Sequence, residues 1–284
     1  MRKIVKNWQD YEILDFGEGV KFERWNNIIV GRPDPLALGK TQNFNNSIQA
    51  SDIYYNDKTG KGFWEYRRKV ASEWTVSYKD MTFKISPTAH KHLGLFPEQA
   101  VNWDFVRNKI EHSDRDDIKV LNLFAYTGAA SINAALAGAS EVVHVDALKQ
   151  VNEWAKENSK LSGSEDLTIR YFVDDVITFL KREVKRGNKY QVIIMDPPSF
   201  GRGPKNQVWR FDEDIHQLMG LTRQLLEDPL CVVMSVYKTN FNEDHLRNLM
   251  SQYYPKQSLT TFELFLPATS RKILPAGVTG IFEP

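Results

Sequence analysis

The sequence predicts an α/β protein: a doubly wound, seven-stranded, mostly parallel sheet with a β-rich N-terminal extension. Three observations predict it. From residue 119 onward, short apolar runs alternate with stretches of helical spacing, five strand–helix units before a final pair of strands. These runs are apolar throughout, as strands covered by helices on both faces must be. Before about residue 86 the pattern changes to short β-branched and aromatic runs separated by Asn, Gly and Asp turns.

In chain order, residues 19–25 and 28–30 flank Asn26-Asn27, a hairpin signal. Trp74–Tyr78 and Met81–Ile85 flank Lys79-Asp80 in the same way. The Asn-, Gly-, Pro- and Ser-rich stretch Asp34–Thr59 reads as loop. Residues 1–86 are thus expected to form a small β-rich domain, and 87–284 a larger one. The larger domain opens with a helix that has Pro97 at its first position and runs to Ile110. Strands are expected at 119–124, 141–146, 168–173, 190–195 and 230–236. Helices are expected at 129–137, 149–161, 176–185, 211–226 and 242–252. Strands near 258–266 and 277–282 close the sheet with an antiparallel edge.

Composition narrows the function classes. The apolar fraction of 42% with 26% charged residues suits a globular protein with a real core. Cys231 is the one cysteine, so internal disulfides are excluded, and no Cys/His cluster has zinc spacing. No metal is expected. The N-terminus lacks the apolar run of a signal peptide, and no stretch approaches the roughly 18 apolar residues of a membrane span. A cytoplasmic protein without membrane attachment is expected. The net charge of +1 does not announce nucleic-acid binding. Its distribution says more: Lys181, Arg182, Lys185, Arg186, Lys189, Arg202, Lys205 and Arg210 face only Glu183 and Asp196. That run is either a phosphate-facing patch or a solvated helix end plus loop. The 16 Phe and seven Trp are mostly core, with room for a stacking surface.

In such sheets ligands sit beyond the carboxyl ends of the strands. The first strand delivers Asn122-Leu-Phe124-Ala125-Tyr126-Thr127-Gly128 into a helix. The G-x-G-x-x-G cradle that a pyrophosphate needs is absent, which weighs against NAD and FAD and towards a sulfonium nucleoside, S-adenosylmethionine. The second strand ends in Asp146, whose two oxygens can accept from both ribose hydroxyls. The third ends Asp174-Asp175-Val176; a carboxylate there can accept from the adenine amine, or Asp175 can be a helix N-cap. The fourth ends Asp196-Pro197-Pro198-Ser199-Phe200. The prolines fix the backbone and withhold both N–H groups, leaving carbonyls and the Asp196 carboxylate as acceptors, with Phe200 as an aromatic plane. Acceptors beside an aromatic plane suit a nucleobase with an exocyclic amine. Asp196, Pro197, Pro198 and Phe200 are the candidate catalytic residues.

These segments, with Val145-Asp146 and Trp154-Ala-Lys-Glu-Asn158, resemble class I S-adenosylmethionine-dependent methyltransferases of the bacterial 23S ribosomal RNA large-subunit group. The likeness covers about residues 80–284 and implies the Rossmann-like methyltransferase fold. His92-Leu-Gly-Leu-Phe96-Pro-Glu-Gln99 is similar to the family segment that closes over the cofactor, so Phe96 and Gln99 join the cofactor set. The resemblance also implies that Phe124–Gly128 surround the methionine part. Asp146 would then hold the ribose and Asp174–Val176 the adenine, with Asn122, Ala147 and Asp196 also in the cofactor set. Asp196–Phe200 would face the substrate, with S-adenosylhomocysteine as product. Residues 1–80 resemble the β-hairpin region that precedes this domain, and no room is seen for the further RNA-binding domain that some members carry.

One departure bears on chemistry. Cytosine-C5 members use a cysteine at the end of the fifth strand; here Met234-Ser235-Val236-Tyr237 puts Val236 in its place. Carbon 5 of a pyrimidine is a poor nucleophile until a thiolate adds to the ring. Cys231, five residues earlier, would lie roughly 16 Å away near the other end of the strand, a core residue. The covalent route is therefore excluded. What remains is direct transfer to an amine or ring nitrogen of a base, which the resemblance implies is in ribosomal RNA, with Arg202, Lys205 and Arg210 on phosphates. A methyltransferase acting on a small molecule or protein, and a non-catalytic S-adenosylmethionine- or RNA-binding module, are the alternatives. His90 and His92 are either general bases or partly exposed loop residues.

Overall fold

The computed structural model describes residues 1–57, 62–238 and 240–284. In its N-terminal part the elements run β1 (Arg2–Ile4), β2 (Tyr11–Gly17), β3 (Val20–Trp25), β4 (Ile28–Pro33), α1 (Phe44–Ala50), β5 (Ile53–Asn56), β6 (Phe63–Tyr66), β7 (Trp74–Tyr78) and β8 (Met81–Ile85). Both expected hairpins are present. β3 and β4 pair through Trp25↔Ile28, and β7 and β8 through Tyr78↔Met81. Asn26 and Lys79 enter these turns in the left-handed region. The stretch Asp34–Thr59 is not all loop. Asn43 caps α1 by accepting from the Asn46 N–H, and Ile53 and Tyr54 pair in parallel with β4. Residues 58 and 59 lie outside the described residues.

Two compact units divide the chain: Lys3–Gln99 with Leu264–Ala276, and Met1–Arg2 with Ala100–Glu263 and Gly277–Pro284. The division expected at 86/87 thus falls at 99/100. The reason is where residues 87–99 find their partners. Thr88 O accepts from the Trp64 indole at 2.7 Å, Ala89 O from the Tyr55 hydroxyl at 2.8 Å, and Pro97 O from the Trp8 indole at 3.1 Å. Residues 264–276 join the same unit through Thr269, whose N–H donates to Ile13 O at 2.8 Å.

The β unit is organised by a five-stranded sheet in the order β2-β3-β4-β5-β6. At its centre Glu23 is fully buried. Its carboxylate accepts from Arg32 Nε at 2.5 Å, Arg32 Nη2 at 3.0 Å and the Tyr11 hydroxyl at 2.8 Å, with Lys21 Nζ 3.5 Å away. Burial pushes this carboxyl up, but the Arg32 and Lys21 charges and the hydrogen bonds outweigh it and hold it down at about 2.

The larger unit runs α2 (Ala100–Glu111), β9 (Lys119–Leu123), α3 (Ala129–Leu136), β10 (Glu141–Asp146), α4 (Lys149–Leu161), β11 (Ile169–Val173), α5 (Val176–Arg186), β12 (Tyr190–Met195), β13 (Phe200–Arg202), β14 (Val208–Arg210), α6 (Phe211–Leu225), β15 (Leu226–Val236), α7 (Glu243–Met250), β16 (Leu259–Pro267) and β17 (Ile273–Phe282). The sheet order is β1-β16-β17-β15-β12-β9-β10-β11, so the seven expected strands gain an eighth, the three-residue β1 at one edge. β9, β10, β11, β12 and β15 are mutually parallel neighbours, and β17 is antiparallel to β15. The chain leaves β9 towards β11 on one side and returns to β12 on the other, which makes the β9–β12 crevice the switch point where ligands bind. The core beneath is apolar: Leu121, Ile193, Met195, Val232, Phe179 and Leu218 are among its buried members. Among the described residues no helix is long and apolar enough to cross a membrane.

Because the Glu23 carboxyl sits below its unfolded value of 4.5, its contribution to stability is full above that value. It is lost as pH falls towards 2. Glu23→Gln leaves Arg32 buried without its charge partner, at a cost of about 3–5 kcal/mol. Thermal melts from pH 7 to 2.5 should show a falling midpoint in the wild type and a lower, flatter profile in Glu23→Gln; equal slopes would remove Glu23 from the account.

Candidate active site

The register sets the site. Leu123, Val145, Phe172, Met195 and Met234 lie in one row across the parallel strands. One residue further along come Phe124, Asp146, Val173, Asp196 and Ser235. Asp146 and Asp196 therefore flank the β9 tip on its two sides, about 10 Å apart at two strand spacings.

The loop from the β9 tip is strained. Phe124, Tyr126 and Gly128 have φ of 56°, 50° and 89°. For bulky residues the left-handed region is a rare and costly conformation, held only when the surroundings over-determine it. Four contacts do so. The Ala125 N–H donates to Val145 O at 3.1 Å, and the Tyr126 N–H to Asp146 Oδ2 at 2.9 Å. Asn158 Nδ2 donates to Thr127 O at 2.9 Å. The Phe124 ring packs on Trp209, centroids 4.9 Å apart and tilted 57°. Gly128 is required twice over. Its φ favours glycine, and a Cβ there would lie 2.9 Å from the Ala155 Cβ.

Asn122 is buried under this loop. Its amide donates to Ser131 Oγ at 2.9 Å, and that hydroxyl lies 3.0 Å from His144 Nδ1. Burial pushes the His144 pKa down to about 3, so the ring is neutral. Asn122 thus ties the end of β9 to α3. Thr127 and Ala125 are also buried.

Asp146 Oδ1 accepts from the Leu148 N–H at 3.0 Å while Oδ2 takes Tyr126. Burial raises its pKa and these backbone donors oppose the rise. Ala147 beside it is half-buried. Asp174 pairs with Arg182, and its Oδ1 accepts from the Asp175 N–H at 2.9 Å. Asp175 is the N-cap of α5, accepting from the Thr178 N–H at 2.9 Å. The cap reading of Asp175 is thus met. Val176 is a buried core residue at the first turn of α5, which leaves its backbone N–H rather than its side chain for a ligand role.

After β12 the chain forms a hairpin that the sequence reading missed, β13 against β14. The pairs Phe200↔Arg210, Gly201↔Trp209 and Arg202↔Val208 divide it into two faces. Trp209 is buried, touching Phe124 and donating its indole N–H to Pro198 O at 2.6 Å. Phe200 stands on the opposite, exposed face with Arg202 and Arg210, the Arg202 guanidinium 5.8 Å from its ring. A Cβ built at Gly203, in the turn, would lie 3.1 Å from Asp175 Cβ. The hairpin therefore runs from the Pro198 end of β12 to the tip of β11. The expected acceptor cluster is altered: the Pro198 carbonyl is engaged by Trp209, while Asp196 is half-buried beside buried Pro197. A sequence signal existed in Gly203-Pro204-Lys205-Asn206 between two β-prone triplets.

Six residues of the cation run separate into two groups. Arg182, Arg186 and Arg210 pair with Asp174, Glu183 and Glu213, and Lys189 donates to Gln224 O. Arg202 and Lys205 are exposed on the hairpin. Phe96 and Gln99 belong to the β unit, where the Gln99 N–H donates to Phe96 O at 3.1 Å. His92 lies in that unit too. Burial, with Arg32 and Lys91, pushes its pKa down to about 4; His90 is exposed. Cys231 is fully buried in mid-strand, because β15 begins at Leu226 rather than 230. Burial pushes its thiol up to about 12, which removes the thiolate at neutral pH. Among the described residues no group of three or more His, Cys, Asp or Glu is placed to hold a metal ion.

The donor set fits a sulfonium nucleoside and not a diphosphate. The one glycine of the loop packs on α4 rather than opening N–H groups to phosphate, and Asp146 and Asp174 at the tips would repel one.

The profile of the family described as S-adenosylmethionine-dependent methyltransferase matches residues 62–233. The chain is 32% identical to the S-adenosylmethionine-dependent methyltransferase from Agrobacterium tumefaciens. That crystal structure superposes with a TM-score of 0.92 over 100% of this chain and 93% of the other. It is 31% identical over 163 residues to ribosomal RNA large subunit methyltransferase K/L of Shewanella frigidimarina, 57% of this chain and 22% of that protein. The chain spans about a fifth to a third of the length of the curated relatives it matches. The crystal structure of SMU.776 complexed with S-adenosylhomocysteine shares the fold, at 19% identity and a TM-score of 0.74, over 98% of this chain and 76% of that one.

Gly128→Ala should weaken S-adenosylhomocysteine binding by more than about tenfold, because strain and the clash with Ala155 both displace the loop. Calorimetry on folded variant checks this; unchanged affinity would separate the loop from the cofactor.

Proposed function

The chain belongs to the family of S-adenosylmethionine-dependent methyltransferases, and from that premise we propose that it methylates a nitrogen of a ribosomal RNA base by direct displacement. The carrying observation is the placement of Asp196 level with Phe124, on the adjacent strand, with no reactive thiol at the neighbouring tip. Bound S-adenosylmethionine supplies an electrophilic sulfonium methyl. The Asp146 oxygens, each with a lone pair beyond its backbone bond, would hold the ribose hydroxyls. Asp174 and the first N–H groups of α5 would hold the adenine, and the Phe124–Gly128 loop the methionine part.

The protein's own task is to align the nucleophile and exclude water. The Asp196 carboxylate and the Pro197 carbonyl accept from the amine of the target base. They orient its lone pair and offset the positive charge that develops on nitrogen. The Asp196 carboxylate is the acceptor for the proton released afterwards.

The RNA reading is supported by the name of the Shewanella relative and by the outer face of the hairpin. There Phe200 offers a stacking surface beside Arg202 and Lys205, an aromatic and cationic pairing suited to unpaired nucleotides.

Labelled S-adenosylmethionine incubated with ribosomal RNA should label it. In Asp196→Ala, turnover should fall on the order of a thousandfold. S-adenosylhomocysteine affinity should stay within about tenfold, about 1.4 kcal/mol. Label entering protein or small molecules of a cell extract, and not RNA, would replace the substrate; loss of cofactor binding would move Asp196 into the cofactor site.

A further inference from the structure

The aromatic ring that faces the strand tips is Trp209, and it touches both halves of the site. Its indole N–H donates to Pro198 O at 2.6 Å, and its ring packs on Phe124 at 4.9 Å. The Asp196 segment needs such an anchor. The Asp196 N–H makes a long bond to Leu123 O, 3.4 Å, and the next two residues are prolines with no N–H to give. Beyond them, Ser199 O accepts from the Phe211 N–H at 3.1 Å. Between those two points the Trp209 indole fixes the peptide plane that follows Pro198. Through Phe124, held at a φ of 56°, the same side chain bears on the strained cofactor loop.

We infer that Trp209 is a positioning residue, which sets the separation between the cofactor loop and the Asp196 and Pro197 acceptors. This rests on the methyl-transfer reading above. Displacement demands reacting atoms within a narrow range of distance and angle, and a misplacement of about 1 Å can cost on the order of a hundredfold in rate. Trp209 touches neither reacting atom in this role; it holds Phe124 and Pro198, the neighbours of the groups that do.

The test is Trp209→Phe. The ring contact with Phe124 survives, and because Pro198 is exposed, water can replace the indole at its carbonyl. The variant should fold, with kcat for RNA down on the order of tenfold or more. KM for RNA and S-adenosylhomocysteine Kd should stay within about threefold. A second readout needs no turnover. The indole N–H signal missing from the Trp209→Phe spectrum should move in the wild type when S-adenosylhomocysteine saturates it. A kcat within about twofold of wild type, or a signal unmoved at saturation, overturns the inference. So do parallel losses of kcat, cofactor affinity and Tm, which would mark a merely structural tryptophan. A wild type that binds no S-adenosylhomocysteine overturns this inference and the methyl-transfer reading together. Binding with a shifted signal but no methylated RNA sinks the RNA substrate and leaves Trp209 in place.

Discussion

The hydrogen bond from the Tyr126 N–H to Asp146 Oδ2 joins the loop after one strand to the tip of its neighbour, and the site depends on it. Two aromatic residues of that loop, Phe124 and Tyr126, occupy the left-handed region. Each such residue costs on the order of 1–3 kcal/mol, and an unsupported loop would relax. Asp146 holds the loop with one oxygen and its own turn with the other, through the Leu148 N–H. Its pKa is raised by burial and restrained by those donors. The carboxylate that would bind a ribose is also the one that shapes the wall around it.

The same economy appears at the hairpin. Its inner face carries Trp209 onto Phe124 and Pro198, while its outer face carries Phe200, Arg202 and Arg210. Strand alternation makes that division unavoidable, since neighbouring residues point to opposite sides. One short element thereby fixes the acceptor motif from within and offers an aromatic, cationic surface outside. The charges at the strand tips have the opposite sign: Asp146, Asp174 and Asp196 gather where a cationic sulfonium is expected and a diphosphate is not.

Much of the parallel sheet was legible because its strands are apolar runs bounded by turn residues. Glu141–Asp146 and Tyr190–Met195 fall where those runs fall. The Asp-Pro-Pro segment and the lone loop glycine were equally plain. Other features lay beyond residue patterns. Aromatic residues disfavour positive φ, so nothing in Phe124 or Tyr126 announces it. Helix α1 buries no residue fully and sits in a polar stretch that reads as loop. Strands β13 and β14 have three residues each, too few to show alternation. Residues 87–99 join the β unit through tertiary partners such as Trp64 and Tyr55, which composition cannot reveal. Asp175 is an N-cap through the Thr178 N–H, which an acid at a strand end does not by itself announce.

The central claim is that the tips of β9 to β12 shape a cleft for a sulfonium nucleoside rather than for a diphosphate. A calorimetric titration of the wild-type chain with S-adenosylhomocysteine, repeated with NAD in excess, tests it most directly. The account predicts saturable uptake of one nucleoside per chain, undiminished by NAD. No uptake, or displacement by the dinucleotide, would contradict it.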